Sequence, residues 1–438
     1  MKKPLGPNYW KLWSASAVSN LGDGVAVIAY PWLASLITRD GFKLGLVVLA
    51  GRLPWLLFSL PAGVLADRFD RRRLVVVMDL FRAILTAGVV ALVLANTGVL
   101  DIAAETGVTP SNEAFLLVAL IVASFLFGVA EVVRDNTAQT LMPALVERDL
   151  LETANGRLWA AELLMNQSVG PPLGGVLIGF ALVAPFVLHS ATFAISALVL
   201  ATLVGTFRTP VQADAPRPAF RKDLAEGFRY LWSHPLLRPL AITLGVVNGL
   251  TMMAQTTFVL FAQDVLALSA AQFGLLTTSG AVGGVAGALA ASKVTKRLRR
   301  GATLYLAMVV FGVTQLIIGL FPDAILAWTM MVIGIFFAMV WNVITVSLRQ
   351  RIIPDRLLGR VNSVYRFFGW GMMSLGAILG GALVSISGPI VGREWSLRLP
   401  FVVAGVVQIA MLLYAYPHFN TGRIEEAERR SETEGLPA

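Results

Sequence analysis

The sequence predicts an all-α protein that crosses a membrane twelve times, as two pseudo-symmetric six-helix bundles with both termini on the cytoplasmic side. Three observations carry this expectation. Hydrophobic residues fill 56% of the 438 positions and charged residues only 14%, against about a quarter charged in soluble domains. The apolar residues fall into twelve runs, each near the roughly 20 residues a helix needs to cross a bilayer. Basic residues gather in the short connections between alternate runs, where cytoplasmic loops carry them.

The first six runs lie near 10–37, 44–66, 74–96, 114–140, 156–180 and 184–206. The second six lie near 239–263, 271–292, 302–321, 324–348, 359–386 and 398–416. The bend after the second run sets the orientation. It holds Asp67, Arg68, Asp70, Arg71, Arg72 and Arg73, while Leu44–Ala66 contains only Arg52 and Leu74–Ala95 only Asp79 and Arg82. Four arginines in a hairpin bend place that bend at the cytoplasmic surface. With this side fixed, 27 of the 35 lysines and arginines are assigned inside. Arg39, Lys43, Arg393 and Arg398 fall outside, and Arg52, Arg82, Arg134 and Arg366 within runs. The segment 98–113, with Asp101, Glu105 and no basic residue, reads as an outside loop.

The two halves repeat. Leu150, Leu151 and Asn155 recur as Leu357, Leu358 and Asn362 at a separation of 207, and Gly170, Gly174 and Gly175 as Gly376, Gly380 and Gly381 at 206. The arginine-rich bend has a weaker twin in Lys293–Arg300. Parallel six-helix halves are a transporter architecture, with substrate held between them near the midplane. The expected domains are therefore a bundle over 1–206, a linker over 207–238, a second bundle over 239–416 and a cytoplasmic tail over 417–438. Pro210, Pro216 and Pro218 open the linker. After them Phe220, Leu224, Phe228, Leu231 and Trp232 share one helical face, with Arg221, Lys222, Glu226 and Arg229 on others. Such a helix lies along the membrane interface and tethers the halves. The mixed-charge tail from Thr421 is expected to be mobile.

Several functions are excluded. The formal net charge of +9 comes from loop residues rather than a basic aromatic surface, so no nucleic acid is expected as a partner. Cysteine is absent, which removes disulfides and thiol chemistry, and His189, His234 and His418 stand singly, without metal-ligand spacing. Gly280, Gly283, Gly284 and Gly287 lie within a run and read as packing residues, and no phosphate-binding Gly-x-x-x-x-Gly-Lys-Ser/Thr occurs. The expectation is a non-enzymatic protein without cofactor or metal. The start, Met1-Lys2-Lys3, is not expected to be a cleaved signal.

Gly63-Val-Leu-Ala-Asp-Arg-Phe-Asp-Arg-Arg-Arg73 resembles the loop signature of the major facilitator superfamily, and Gly170-Pro-Pro-Leu-Gly-Gly175 resembles the fifth-helix motif of its proton-coupled drug antiporters. Ser19–Gly24 followed by Pro31-Trp32, together with Arg52-Leu53-Pro54, resembles its bacterial branch of macrolide, multidrug and siderophore exporters. The likeness spans essentially the whole chain. It departs at Asp70, where glycine is commoner. The resemblance implies the major facilitator fold and export of amphipathic small molecules by proton antiport, with alternating access. It further implies a monomer in the bacterial inner membrane whose partners are substrate, protons and lipid. Dedicated export of one natural product, such as a siderophore, is the alternative.

The resemblance also assigns candidate roles. Gly63, Asp67, Arg68, Arg71 and Arg72 become a cytoplasmic gate whose acid meets the start of the eleventh helix near Gly359. Gly170, Pro171, Gly174 and Gly175 become a close, bendable helix contact that seals the pathway. Asp23 stands mid-span, where a charge is costly unless it serves a function. It reads either as a proton carrier or as a group that, in a helix loosened by Gly22 and Gly24, caps a kink or bonds Asn20. Glu131, Arg134 and Asp135 read as a proton-coupling group or as a static ion pair of Glu131 with Arg134 one turn away. Asp79 and Arg82 read as a local structural pair near the surface. Asn20, Arg52, Trp55, Glu162, Asn166, Gln167, Asn248, Gln255, Trp341, Asn342, Tyr365, Arg366 and Trp370 are candidates to line a substrate cavity.

Overall fold

The computed structural model describes residues 5–205, 207 and 220–434, without the side chains of 60, 63, 64, 66–68, 148, 220–224, 355, 356, 427, 428 and 430–434. The described chain is helical almost throughout. The helices are α1 (Pro7–Ile37), α2 (Gly41–Arg68), α3 (Arg71–Ala95), α4 (Thr97–Thr106), α5 (Glu113–Leu141), α6 (Leu151–Glu162), α7 (Gly170–Phe180) and α8 (Ala184–Ala201). They continue as α9 (Phe220–Ser233), α10 (Leu237–Thr256), α11 (Phe258–Asp264), α12 (Ala270–Thr277), α13 (Ser279–Leu298), α14 (Arg300–Leu320), α15 (Ala324–Ile352), α16 (Asp355–Ala415) and α17 (Thr421–Glu434). Ten described helical stretches are long and apolar enough to span a bilayer. Large apolar side chains such as Ile84, Phe115 and Leu289 stand exposed along them, as lipid-facing surfaces require. This is a multi-pass membrane protein.

Two runs look different from their neighbours for local reasons. The 61 residues of α16 contain Gly392 at φ 81°, a left-handed conformation that divides the stretch between the eleventh and twelfth predicted runs. The fifth run passes from α6 to α7 through a π-helical turn, Leu163–Val169. Pro171 and Pro172 follow it and lack the N–H groups that would bond the carbonyls of Gln167 and Ser168. The backbone widens ahead of them, and the Gly170 N–H reaches Met165 O instead. Such π segments often mark functional sites.

Turns between helices are fixed by short side chains. Asp40, Asp70 and Asp323 each accept a hydrogen bond from the backbone N–H three residues on, at 3.0, 3.0 and 2.8 Å, and Ser269 with Gln272 forms a capping box. Asp70 does more than cap α3, since its other oxygen accepts from the Phe207 N–H at 3.4 Å. That double use explains why an acid serves here in place of glycine. Asp70→Ala is expected to lower stability by about 1 kcal/mol through loss of the cap, read as a lower melting temperature of the purified protein.

Two expectations are corrected. Residues 97–106 form α4, an amphipathic helix ended by Gly107 at φ 69°, where an outside loop was predicted. Leu100 and Ala103 bury one face of it. The tail from Thr421, expected to be mobile, is helical to Glu434, and Ile424 is fully buried in the core of the second half.

The chain divides into two compact units. The first is residues 1–213 with 262–281, and the second is 214–261 with 282–438. In the first, α1 packs on α7 and α8, and α3 on α5 and α8. In the second, α16 packs on α9, α10 and α14. Residues 262–281 join the first unit through polar and close backbone contacts. Arg39 forms an ion pair with Asp264, Gln263 donates to Ser35 at 2.9 Å, and a methyl group added at Gly274 would lie 2.5 Å from Pro171 O.

Candidate functional site

Asp23, Asp79, Arg82, Arg134 and Asp135, charges that the sequence places inside membrane runs, converge within the first unit. Glycine makes this possible. A Cβ at Gly22 would lie 3.1 Å from His189 Cδ2, and one at Gly24 would lie 2.6 Å from Asn166 O. The two glycines that bracket Asp23 therefore seat α8 on one side and the π segment on the other. Helix α1 runs unbroken past them, and Asn20 Nδ2 donates to Ser16 O at 2.8 Å. The reading of Asp23 as the cap of a kink is thus corrected: the glycines serve close packing.

Asp79 is the hub of the buried charges. It pairs with Arg82 one turn on, with Arg134 Nε of α5 at 3.5 Å, and accepts from Ser196 Oγ of α8 at 2.7 Å. Asp79 and Arg82 are 0% and 1% exposed. Arg134 continues the chain to Asp135 at 3.2 Å. Its pairing is with Asp79 and Asp135. The expected Arg134–Glu131 pair does not form, and Glu131 accepts instead from Trp55 Nε1 of α2 at 3.4 Å. Nor is Asp79–Arg82 a surface pair: it is the sealed centre of the bundle.

Asp23 lies beside this centre. His189 Nε2 is 3.5 Å from its Oδ1, and Arg82 and Arg134 are within electrostatic reach. His189 is wrapped by aromatic rings, with centroids of Phe193, Phe127 and Tyr30 at 4.5, 5.4 and 5.9 Å. The Arg82 guanidinium stands 4.0 Å over the Phe193 ring, a cation–π contact that replaces some of its lost hydration. The carboxylates differ in access. Asp79 is closed, whereas the side chains of Asp23 and Asp135 keep 25% and 34% of their surface exposed. Half-buried Glu131 and exposed Glu162 likewise keep accessible surface.

The remaining candidates are dispersed. Arg52 is exposed within reach of Glu131, and exposed Glu162 is within reach of Arg134 and Asp135. Asn166 and Gln167 lie on the π segment. Arg71 and Arg72 donate to Thr140 O and Leu203 O at 2.9 and 2.5 Å, placing positive charge at the carboxyl ends of α5 and α8. The side chains of Asp67 and Arg68, and the surroundings of Gly63, lie outside the described residues, and the space beside Gly359 is open. Gly170 meets Gly24, where a Cβ would fall 2.5 Å from Cα, Gly174 meets Val25 and Gly175 meets Ala270. In the second unit, Asn248 and Gln255 line a cavity, and Arg349 stacks 4.1 Å over the buried Tyr365 ring. Trp341 is packed between Phe311 and Phe419, while Asn342 and Arg366 are exposed and Trp370 half-buried.

A family model described as transmembrane secretion effector matches residues 4–421. The chain belongs to this family of the major facilitator superfamily. It is a transporter and not an enzyme. This major facilitator is 27% identical over 403 residues to the multidrug efflux pump Tap of Mycolicibacterium fortuitum, covering 90% of this chain and 93% of the relative. It is 25% identical over 414 residues to the enterobactin exporter EntS of Escherichia coli O1:K1, covering 93% and 92%. Among solved structures it superposes on a bacterial homologue of the human lysosomal transporter Spinster with a TM-score of 0.70 at 15% identity, covering 100% of each chain. The nucleoside transporter NupG gives 0.69 at 12% identity, covering 94% of this chain and 99% of that one.

Sequence reasoning missed His189 and Ser196. The signal was present: His189 is the one ionisable side chain in the apolar run 184–206, and such a residue within a membrane span is a functional candidate on that ground alone.

Proposed function

We propose that this major facilitator exports amphipathic small molecules across the bacterial inner membrane by proton antiport. It does so as a monomer of twelve spans with both termini in the cytoplasm. A bundle over 1–206 handles protons, the segment 207–238 tethers it to a second bundle over 239–416, and the two alternate in access. The observation that carries this reading is the buried network of Asp79, Arg82, Arg134 and Asp135 with Asp23 and His189 beside it. A scaffold has no reason to hold such charges at membrane depth, where each is costly.

The chemistry follows from access. Asp79 lies between two guanidinium groups and ties α3 to α5 and α8. A proton taken by Asp23 or Asp135 removes a negative charge facing Arg134 and Arg82. The arginines then turn more fully to Asp79, and the contacts of α1 and α5 loosen. The resulting bias between two conformations is what couples proton movement to cargo movement. Names of the relatives, a multidrug pump and an enterobactin exporter, support the direction of transport. They also keep a second reading in play, dedicated export of one natural product.

The test is proton flux in vesicles that hold the purified protein and a pH dye. With a proton gradient imposed, a panel of lipophilic cations, macrolides and siderophores is expected to contain a compound that releases protons. Asp23→Asn is expected to reduce that flux at least tenfold while leaving the protein folded. Undiminished flux in Asp23→Asn, Glu131→Gln and Asp135→Asn together rules the mechanism out. Flux with many compounds favours a broad pump, and flux with one siderophore favours the dedicated exporter.

A further inference from the structure

Within the second unit, α10, α14, α15 and α16 enclose a cavity of about 190 Å³. Thr251 and Gln255 on α10 and Ala338 on α15 are its exposed residues and form its mouth. Its depth is lined by Gln315, Thr314 and Gln408, and Gln408 is only 2% exposed. The Oε1 atoms of Gln315 and Gln408 are buried and accept no hydrogen bond from the protein. A buried polar atom left without a partner costs about 1–3 kcal/mol. Leucine or methionine at either position would fill the space without that cost, so two free amide oxygens on one cavity mark a place where something donates to them.

Size and charge narrow what that is. The volume equals about six waters at roughly 30 Å³ each, and it falls below the roughly 300 Å³ at which pockets begin to hold whole drug-sized ligands. It fits one substituent of a larger molecule. Among the described residues no Asp, Glu, Lys, Arg or His lines it, so no lining side chain balances a charge. The paired buried charges Asp79, Arg82 and Arg134 belong to the first unit, whereas the polar side chains that line this cavity are amides and hydroxyls.

We propose that this cavity receives a neutral hydrogen-bond-donating group of the transported molecule, a hydroxyl or a primary amide, held by Gln315 and Gln408. The word transported rests on the export reading above, but the site does not depend on proton coupling. The first half of the molecule responds to protons, and the second recognises uncharged polar groups.

The test is equilibrium binding to the full-length protein in lipid nanodiscs with no proton gradient. The probes are tetraphenylphosphonium and (4-hydroxyphenyl)triphenylphosphonium, which share charge and bulk and differ by one hydroxyl. The hydroxyl probe is expected to bind about tenfold more tightly, the worth of one well-made hydrogen bond. Gln408→Leu and the less buried Gln315→Leu are each expected to erase that preference and keep the affinity for the parent probe. Equal binding of the two probes, no binding of either, or a preference that survives both substitutions overturns the proposal. Proton-driven efflux without the preference sinks this proposal alone, and the preference without proton-driven efflux sinks only the antiport reading.

Discussion

Asp79→Ala is expected to be among the most damaging single substitutions in the chain. Removing this carboxylate leaves Arg82 and Arg134 facing one another at the sealed centre of the first unit, and leaves Ser196 Oγ without its acceptor. Breaking a buried ion pair by deleting one partner costs about 3–5 kcal/mol, because the surviving charge remains buried. Here two charges survive. The expected result is a sharp fall in the yield and melting temperature of purified protein, larger than for Asp135→Ala, whose carboxylate is one-third exposed. Replacing Asp79 and Arg82 together by Asn and Gln should recover part of the loss, since the excess positive charge falls. Melting of Asp79→Ala at the temperature of the parent protein would mean the network is not what holds α3, α5 and α8 together.

The second large effect is expected at the glycine crossings. Gly376 of α16 lies against the backbone of Gly249, and Gly380 against Met253, so that any Cβ would collide with a carbonyl oxygen that cannot move alone. The equivalent crossing in the first unit brings Gly170 against Gly24. Gly376→Ala is expected to force α10 and α16 apart and to cost more than the roughly 1–3 kcal/mol typical of overpacking. Gly88→Ala in α3, where a Cβ meets nothing within 4 Å, is the control. It is expected to stabilise by up to about 1 kcal/mol through helix propensity. Thermal melting of the two variants side by side decides the matter: equal melting would show that the close approach does not matter to stability.

These crossings were half-legible in the sequence. The repeat of Gly170 and Gly174 as Gly376 and Gly380 was plain from spacing, but which helix each would meet was not, because Gly24 and Gly249 carry no repeat signal of their own. Membrane runs were legible because the bilayer imposes a length on every apolar stretch. The centre of the charge network was not. Asp79 and Arg82 sit three residues apart and look self-sufficient, and only the fold brings Arg134 and Ser196, 55 and 117 residues away in the chain, to the two oxygens of the same carboxylate. His189 was passed over for being solitary in sequence. It is solitary only there. The helical tail escaped notice because its charges dominate the composition, while Ile424, the one buried side chain among its described residues, anchors it.

The membership of residues 262–281 in the first unit has a consequence for how the protein is made. A chain emerging from the ribosome presents its N-terminal portions first, and domains generally fold in that order. Here the first unit has all its parts only after residue 281 has been synthesised, well past the midpoint of the chain. Until then α7 lacks the neighbour that seats on Gly175, and Arg39 lacks Asp264. Biogenesis of the N-terminal helices therefore ends with a late arrival. Two polypeptides produced by cutting the gene between 208 and 219 should each be degraded when made alone and accumulate when made together.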